Sequence, residues 1–143
     1  LVNQRSRGTV RLRSADPTAR PAIRYESLSD PADVETMRCG YRLSLALGNS
    51  RAMASFRKGS TVIGDEHATD EAIDAYIRET SFQQYHPGCT CAMGKVLEPD
   101  LSVRGIAGLS VVDASAMPAL PRGNINAVVM MMALATATRL ADG

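Results

Sequence analysis

Residues 123–132 read Gly-Asn-Ile-Asn-Ala-Val-Val-Met-Met-Met (GNINAVVMMM). A glycine and two asparagines precede an aliphatic run, as at a helix start. The pattern predicts a helix over 124–141. Val128 to Met132 leaves no polar side, so this helix is expected to be buried within a larger protein. Just upstream, Leu109–Asp113 (LSVVD) reads as a short apolar strand ending in an acid, and Ala114–Arg122 as a proline-punctuated loop. Further back, Glu98–Gly108 is turn-rich, and Tyr85–Gly94 (YHPGCTCAMG) packs His, Pro, Gly, Cys and Thr together. Small residues there let the backbone approach something closely.

The first half has a different texture. Ser6–Ser14 (SRGTVRLRS) alternates, with Val10 and Leu12 on one face and Arg11 and Arg13 on the other, and predicts a half-buried strand. Its arginines read as a solvated face. Asp16-Pro17 breaks the strand, and Pro21–Tyr25 supplies a short partner strand. Ser29-Asp30-Pro31 marks a helix start, a capping side chain followed by proline in the first turn. Val34, Met37, Tyr41, Leu45 and Leu47 form its apolar face, and Gly48-Asn49 ends it. Arg51–His67 has little period and reads as a loop with room for a short strand. Thr69-Asp70-Glu71 starts another helix, whose apolar face is Ile73, Tyr76 and Ile77.

The chain has 143 residues, about one domain's worth, and 45% of them are apolar, too many for a disordered chain. Sixteen basic residues against fifteen acidic ones give a net charge of +1, which argues against nucleic acid or an anionic membrane as partner. No apolar run is long and pure enough to span a membrane. Leu1 stands where a methionine is usual, with no signal peptide behind it, so a fragment or processed chain is expected. Aromatic residues make up 4% and tryptophan is absent, so the core is expected to be aliphatic and methionine-rich. Cys39, Cys89 and Cys91 are read as small buried residues, because Cys89 and Cys91 lie too close for an ordinary disulfide and no second pair completes a zinc site. A cytoplasmic setting fits that reading, and no metal is expected.

Three segments carry candidate chemistry. Histidine as a residue type can serve as general base near neutral pH, which makes His86 a candidate. Pro87 fixes the chain beside it, and small residues leave space before the ring. His67, in an acidic stretch, reads as structural. Asn124 or Asn126 is an ordinary cap by itself, yet a buried helix behind it directs partial positive charge at whatever lies in front. Gly123 permits an unusual backbone angle there. Val111–Ser115 is a strand end followed by small residues, suited to close contact with a cofactor. The chain contains no GxGxxG, P-loop or HExxH motif.

The order of these pieces is more specific than any one of them. His86-Pro87, then Thr90–Gly94, then LSVVDASAMP, then GNINA resembles the C-terminal region of the glucose–methanol–choline (GMC) family of FAD-dependent alcohol oxidoreductases. The family pattern is close to HPxGTCxMG, LRVVDASxMP and GNxNAPxxM. SRGTVRLRS, PAIRY and LSDPAD also match its substrate domain, so nearly the whole chain is covered. The resemblance implies that His86 is the base taking the hydroxyl proton while hydride passes to the flavin. Asn124 would hydrogen-bond the substrate oxygen. Asp113 and Ala114 would lie against the FAD ribityl and pyrophosphate, and the peptide groups of Asn124, Ile125 and Asn126 would face the flavin pyrimidine edge.

The chain departs from the pattern at Cys89, where the family has glycine, with Gly88 one place earlier. Ala92 replaces a basic residue, and Val128 replaces proline. The implied fold class is α+β. Residues 1–97 would supply part of an antiparallel substrate-domain sheet with flanking helices. Residues 98–143 would return to the FAD-binding domain through a strand at 109–113 and the buried terminal helix. An alcohol substrate and an N-terminal FAD-binding portion, in cis or as a separate chain, would complete the site. The alternatives are a non-catalytic module that associates with a separate FAD-bearing chain, and a hydroxynitrile-lyase-type activity on the same fold.

Overall fold

The computed structural model describes residues 3–59 and 69–142. His67 and the second half of the 51–67 loop lie outside them. The chain divides into two units, one holding Asn3–Gly8 with Arg24–Phe82, the other Thr9–Ile23 with Gln83–Gly143.

In the first unit, α1 spans Pro31–Gly48. It starts where the sequence places it: Asp30 accepts from the Ala32 N–H, and Pro31 occupies the first turn, where no intrahelical N–H is needed. Asn49 closes it with its N–H on the Leu45 carbonyl (2.9 Å), and the Ser50 N–H takes the Leu47 carbonyl (3.1 Å). Helix α2 (Asp70–Thr80) is capped by Thr69, which accepts from the Ala72 N–H. Val34, Ile73 and Ile77 form the buried apolar face, and the Tyr41 and Tyr76 rings meet at 5.8 Å, tilted by 59°. Leu47 is exposed instead. It lies two residues past Leu45, on the far side of a helix that turns once per ~3.6 residues.

Two polar clusters fasten this unit. Arg38 reaches Asp74 with Nε at 2.8 Å and Nη2 at 2.7 Å. The pair holds the Asp74 carboxyl below its ordinary range and the guanidinium above its own. Asp33 is buried at the start of α1 and accepts from the Arg5 N–H (2.8 Å), the Ser6 N–H (2.7 Å) and the Ser6 hydroxyl (2.5 Å). Burial pushes the Asp33 carboxyl up. The hydrogen bonds from Arg5 and Ser6, with the Arg5 charge, outweigh it and leave the group lowered.

Strand β1 (Thr9–Arg11) pairs with β2 (Ala22–Arg24), of which the first two residues belong with β1 to the second unit. This is shorter than the strand read over Ser6–Ser14, and Val10 and Leu12 are both exposed. Two three-residue strands have no second layer's worth of apolar surface to bury. The core lies elsewhere, at Leu97, Leu101 and Ala116, with Cys91, Met93, Val103, Val111, Val112 and Met132 packed round it.

Leu109–Asp113 is not a ladder strand. Its pairing is a single bridge, Ser110 with Ser102, flanked by Val111 N–H on Leu101 O (3.1 Å) and Val103 N–H on Leu109 O (2.8 Å). The neighbouring segment turns at Arg104-Gly105 and offers no longer edge.

Helix α3 covers Asn126–Asp142, starting two residues later than expected. It is buried along one stripe only. Met132 packs on the core and Thr136 is buried, while Met130, Met131, Leu134 and Leu140 are exposed. Spacing of four keeps Met132 and Thr136 on one face, with Val128 half-buried one turn earlier. The Arg139 guanidinium donates to the Asp100 carbonyl. The cysteines are less buried than expected: Cys39 is exposed on α1, and Cys89 and Cys91 are half-buried. Among the described residues no helix is long and apolar enough to cross a membrane.

Candidate active site

The site is built from two loops and a helix end, all within the second unit. The first loop carries His86, which is half-buried. Tyr85 before it takes φ +59 and Cys89 after it takes φ +68, both in the left-handed region that non-glycine residues rarely adopt. With Pro87 rigid between them, the turn that presents His86 has little conformational freedom of its own.

The second loop is Asp113–Met117. Asp113 is extended (φ −147°) and caps a single 3-10 turn, Ala114–Ala116. Its carboxylate accepts from the Ser115 N–H at 2.8 Å and from the Ser115 hydroxyl. So short a turn satisfies few of its own carbonyls. The first loop takes them: Cys89 N–H donates to Ala114 O (3.1 Å), Cys91 N–H to Ser115 O (2.9 Å) and Met93 N–H to Ala116 O (3.0 Å). Alternate residues of one segment thus address consecutive residues of the other. Ala116 and Met117 are buried beneath this seam, beside Ala92. The structure therefore brings together two of the three pieces singled out in the sequence, the His86 loop and the Asp113–Ala114 turn.

The third piece is the start of α3. Ile125 accepts from the Val129 N–H at 3.0 Å, so Asn126 is the first helical residue and Asn124 lies ahead of the helix. Neither asparagine acts as the ordinary cap. The Asn126 amide points along the helix to Met130 Sδ at 3.7 Å, and Asn124 is exposed. Ile125 is half-buried. Gly123 does not use the left-handed angle open to it, and a Cβ there would meet nothing within 4 Å. Among the described residues, no hydrogen bond reaches the His86 or Asn124 side chain, and none joins residues 124–126 to the His86 loop. The first-turn N–H groups of α3 have no partner within the helix, and no acidic side chain stands in that turn to occupy them.

Sequence reasoning missed Gly88. A Cβ on it would lie 2.7 Å from Ala114 O and 2.9 Å from Leu120 Cδ2. The signal was present in the density of small residues over 85–94, but their partner was invisible because it lies about 26 residues downstream.

Comparison with known proteins places this arrangement. The GMC oxidoreductase model for the family's C-terminal region matches residues 4–133. An oxygen-dependent choline dehydrogenase of Paraburkholderia xenovorans is 37% identical over 139 residues, covering 94% of this chain and 25% of that protein. An alcohol dehydrogenase [acceptor] of Pseudomonas putida is 42% identical over 133 residues, covering 90% of this chain and 24% of that protein. A fungal aryl-alcohol oxidase structure superposes with a TM-score of 0.81 at 36% identity, covering 92% of this chain and 22% of that one. The chain spans about a quarter of the length of the curated relatives it matches. From the match over residues 4–133, the chain belongs to the GMC oxidoreductase family.

Proposed function

We propose that this chain is the part of a flavin-dependent alcohol oxidoreductase that carries the catalytic histidine. The whole protein would convert a primary or secondary alcohol to an aldehyde or ketone. The observation that supports this most is the seam of three backbone hydrogen bonds, which holds the His86 loop against the Asp113–Ala116 turn in a chain of this family.

FAD fits the residues present. The bare first turn of α3, with Asn124 exposed ahead of it, offers N–H groups and positive partial charge to a carbonyl-rich ring edge. The open space at Gly123 keeps that approach clear. Asp113 spends Oδ1 on Ser115, which leaves Oδ2 to accept from a ribityl hydroxyl. When bound, FAD supplies the two-electron acceptor that an alcohol oxidation requires.

The chain's own residues do the rest. The neutral imidazole of His86 accepts the substrate hydroxyl proton and holds it on its ring nitrogen. Asn124 donates from its amide to the substrate oxygen, orienting the carbinol carbon. The α3 terminus stabilises negative charge in front of it. Ala114, Ile125 and Asn126 contribute backbone surface and N–H groups rather than reactive side chains.

The test uses the full-length protein with its flavin, without oxygen. Choline, aliphatic primary and secondary alcohols, and aryl alcohols are added in turn, and flavin absorbance is followed with carbonyl product. At least one is expected to bleach the flavin with one equivalent of aldehyde or ketone. No bleaching with any of them, from a flavin that dithionite reduces, would remove the alcohol-oxidation reading.

A further inference from the structure

We propose that Gly88 is a positioning residue for His86, an inference that rests on the histidine being the base. It stands two residues after His86, where the first loop packs against the second. A Cβ would stand 2.7 Å from Ala114 O and 2.9 Å from Leu120 Cδ2, both closer than real Cβ contacts come. The two obstacles differ in kind. Leu120 Cδ2 is the end of a half-buried side chain that can rotate away. Ala114 O is backbone, and it is already committed to the Cys89 N–H at 3.1 Å and the Met117 N–H at 3.4 Å.

Backbone angle does not explain the glycine, because Gly88 lies outside the left-handed region. The residue that does adopt φ +68 is its neighbour Cys89, which has a side chain and tolerates the strain. Small size stands where contact demands it, and strain is carried one residue on, where the N–H reaches Ala114 O. Both choices serve the docking of the His86 turn onto the Asp113–Ala116 turn. Ordinary contact begins at 3.4 Å, so a methyl group at 88 must lift the loop by several tenths of an ångström. Rigid Pro87 passes that shift to His86. Displacements approaching ~1 Å at a reacting group cost up to about 100-fold in rate.

The experiment compares Gly88→Ala, Gly88→Ala with Leu120→Ala, Cys89→Gly and His86→Ala in the full-length flavoprotein. One readout is amide hydrogen exchange over residues 87–94. The other is the anaerobic flavin-reduction rate per bound flavin, with the substrate Kd and the pH profile. Gly88→Ala is expected to speed exchange at Cys89, Cys91 and Met93. It should lower the reduction rate about 10- to 100-fold and flatten the limb belonging to the base, while Kd changes less than about threefold. Adding Leu120→Ala should not restore either readout, and Cys89→Gly should keep exchange slow. The assignment is overturned if Gly88→Ala reduces flavin within twofold of the parent, or if Leu120→Ala restores it. A parent-like rate in His86→Ala would instead sink the base reading, leaving the exchange result to stand by itself.

Discussion

Removing the Asp33 carboxylate should loosen the N-terminal segment from α1 by about 3 kcal/mol, at ~1.5 kcal/mol for each hydrogen bond to a charged group. Three donors converge on Asp33, but they do not count equally. Arg5 is exposed, so its N–H finds water when the carboxylate is gone. Ser6 is 3% exposed, and its N–H and hydroxyl would both be left buried and unsatisfied. Two such losses give the figure, and each ~1.4 kcal/mol is tenfold in an equilibrium. Native-state exchange of the Ser6 amide in the full-length protein should therefore quicken by about 100-fold in Asp33→Ala. Asp33→Asn keeps an acceptor without the charge and should fall between. The pH dependence follows from a carboxyl lowered in the folded state. Its stabilisation is complete above the ordinary value of 3.8 and drains away as pH falls through the folded value. A change below threefold in Asp33→Ala, or protection of Ser6 that does not weaken in acid, would show that the Asp33 carboxylate does not hold this segment.

Two other outcomes can be checked by the same exchange methods or by thermal melting. Cys89→Gly should stabilise the His86 loop by up to ~1 kcal/mol, since a left-handed L residue costs about 1–2 kcal/mol and glycine's unfolded freedom returns part of it. A loss of stability would show that the Cys89 side chain contributes more than its strain costs. Leu97→Ala, at a side chain with no exposed surface, should cost about 2–5 kcal/mol and be felt at Leu101, Ala116 and Met132.

What was legible in the sequence was local. Asp30-Pro31 and Thr69 mark the starts of α1 and α2 because a cap is a side chain bonding to an N–H two or three residues on. The apolar period put Ile73 and Ile77 inside α2 correctly. Non-local pairing was not legible. LSVVD has strand composition, but a strand is defined by its partner, and the segment beside it offers a single bridge at Ser102 with one backbone hydrogen bond on either side. The wholly apolar run at Val128–Met132 gave a buried helix, whereas this chain covers only the Met132–Thr136 stripe. Small size misled the reading of Cys39, which lies on the solvent side of α1.

The candidate site divides the same way. His86 and Asn124 are candidates by residue type and motif order. That the His86 loop docks through Cys89, Cys91 and Met93 onto Ala114, Ser115 and Ala116 depends on backbone groups, which carry no side-chain signature. Gly88 was visible only as one small residue among several until the Ala114 carbonyl appeared beside it.

We propose His86 as the group that removes the hydroxyl proton. The most direct measurement is the anaerobic rate of flavin reduction by a reactive alcohol in the full-length His86→Ala protein, normalised to bound flavin. A fall of about 100- to 10,000-fold is expected, with the flavin still bound and reducible by dithionite. A rate near that of the unsubstituted protein would contradict it.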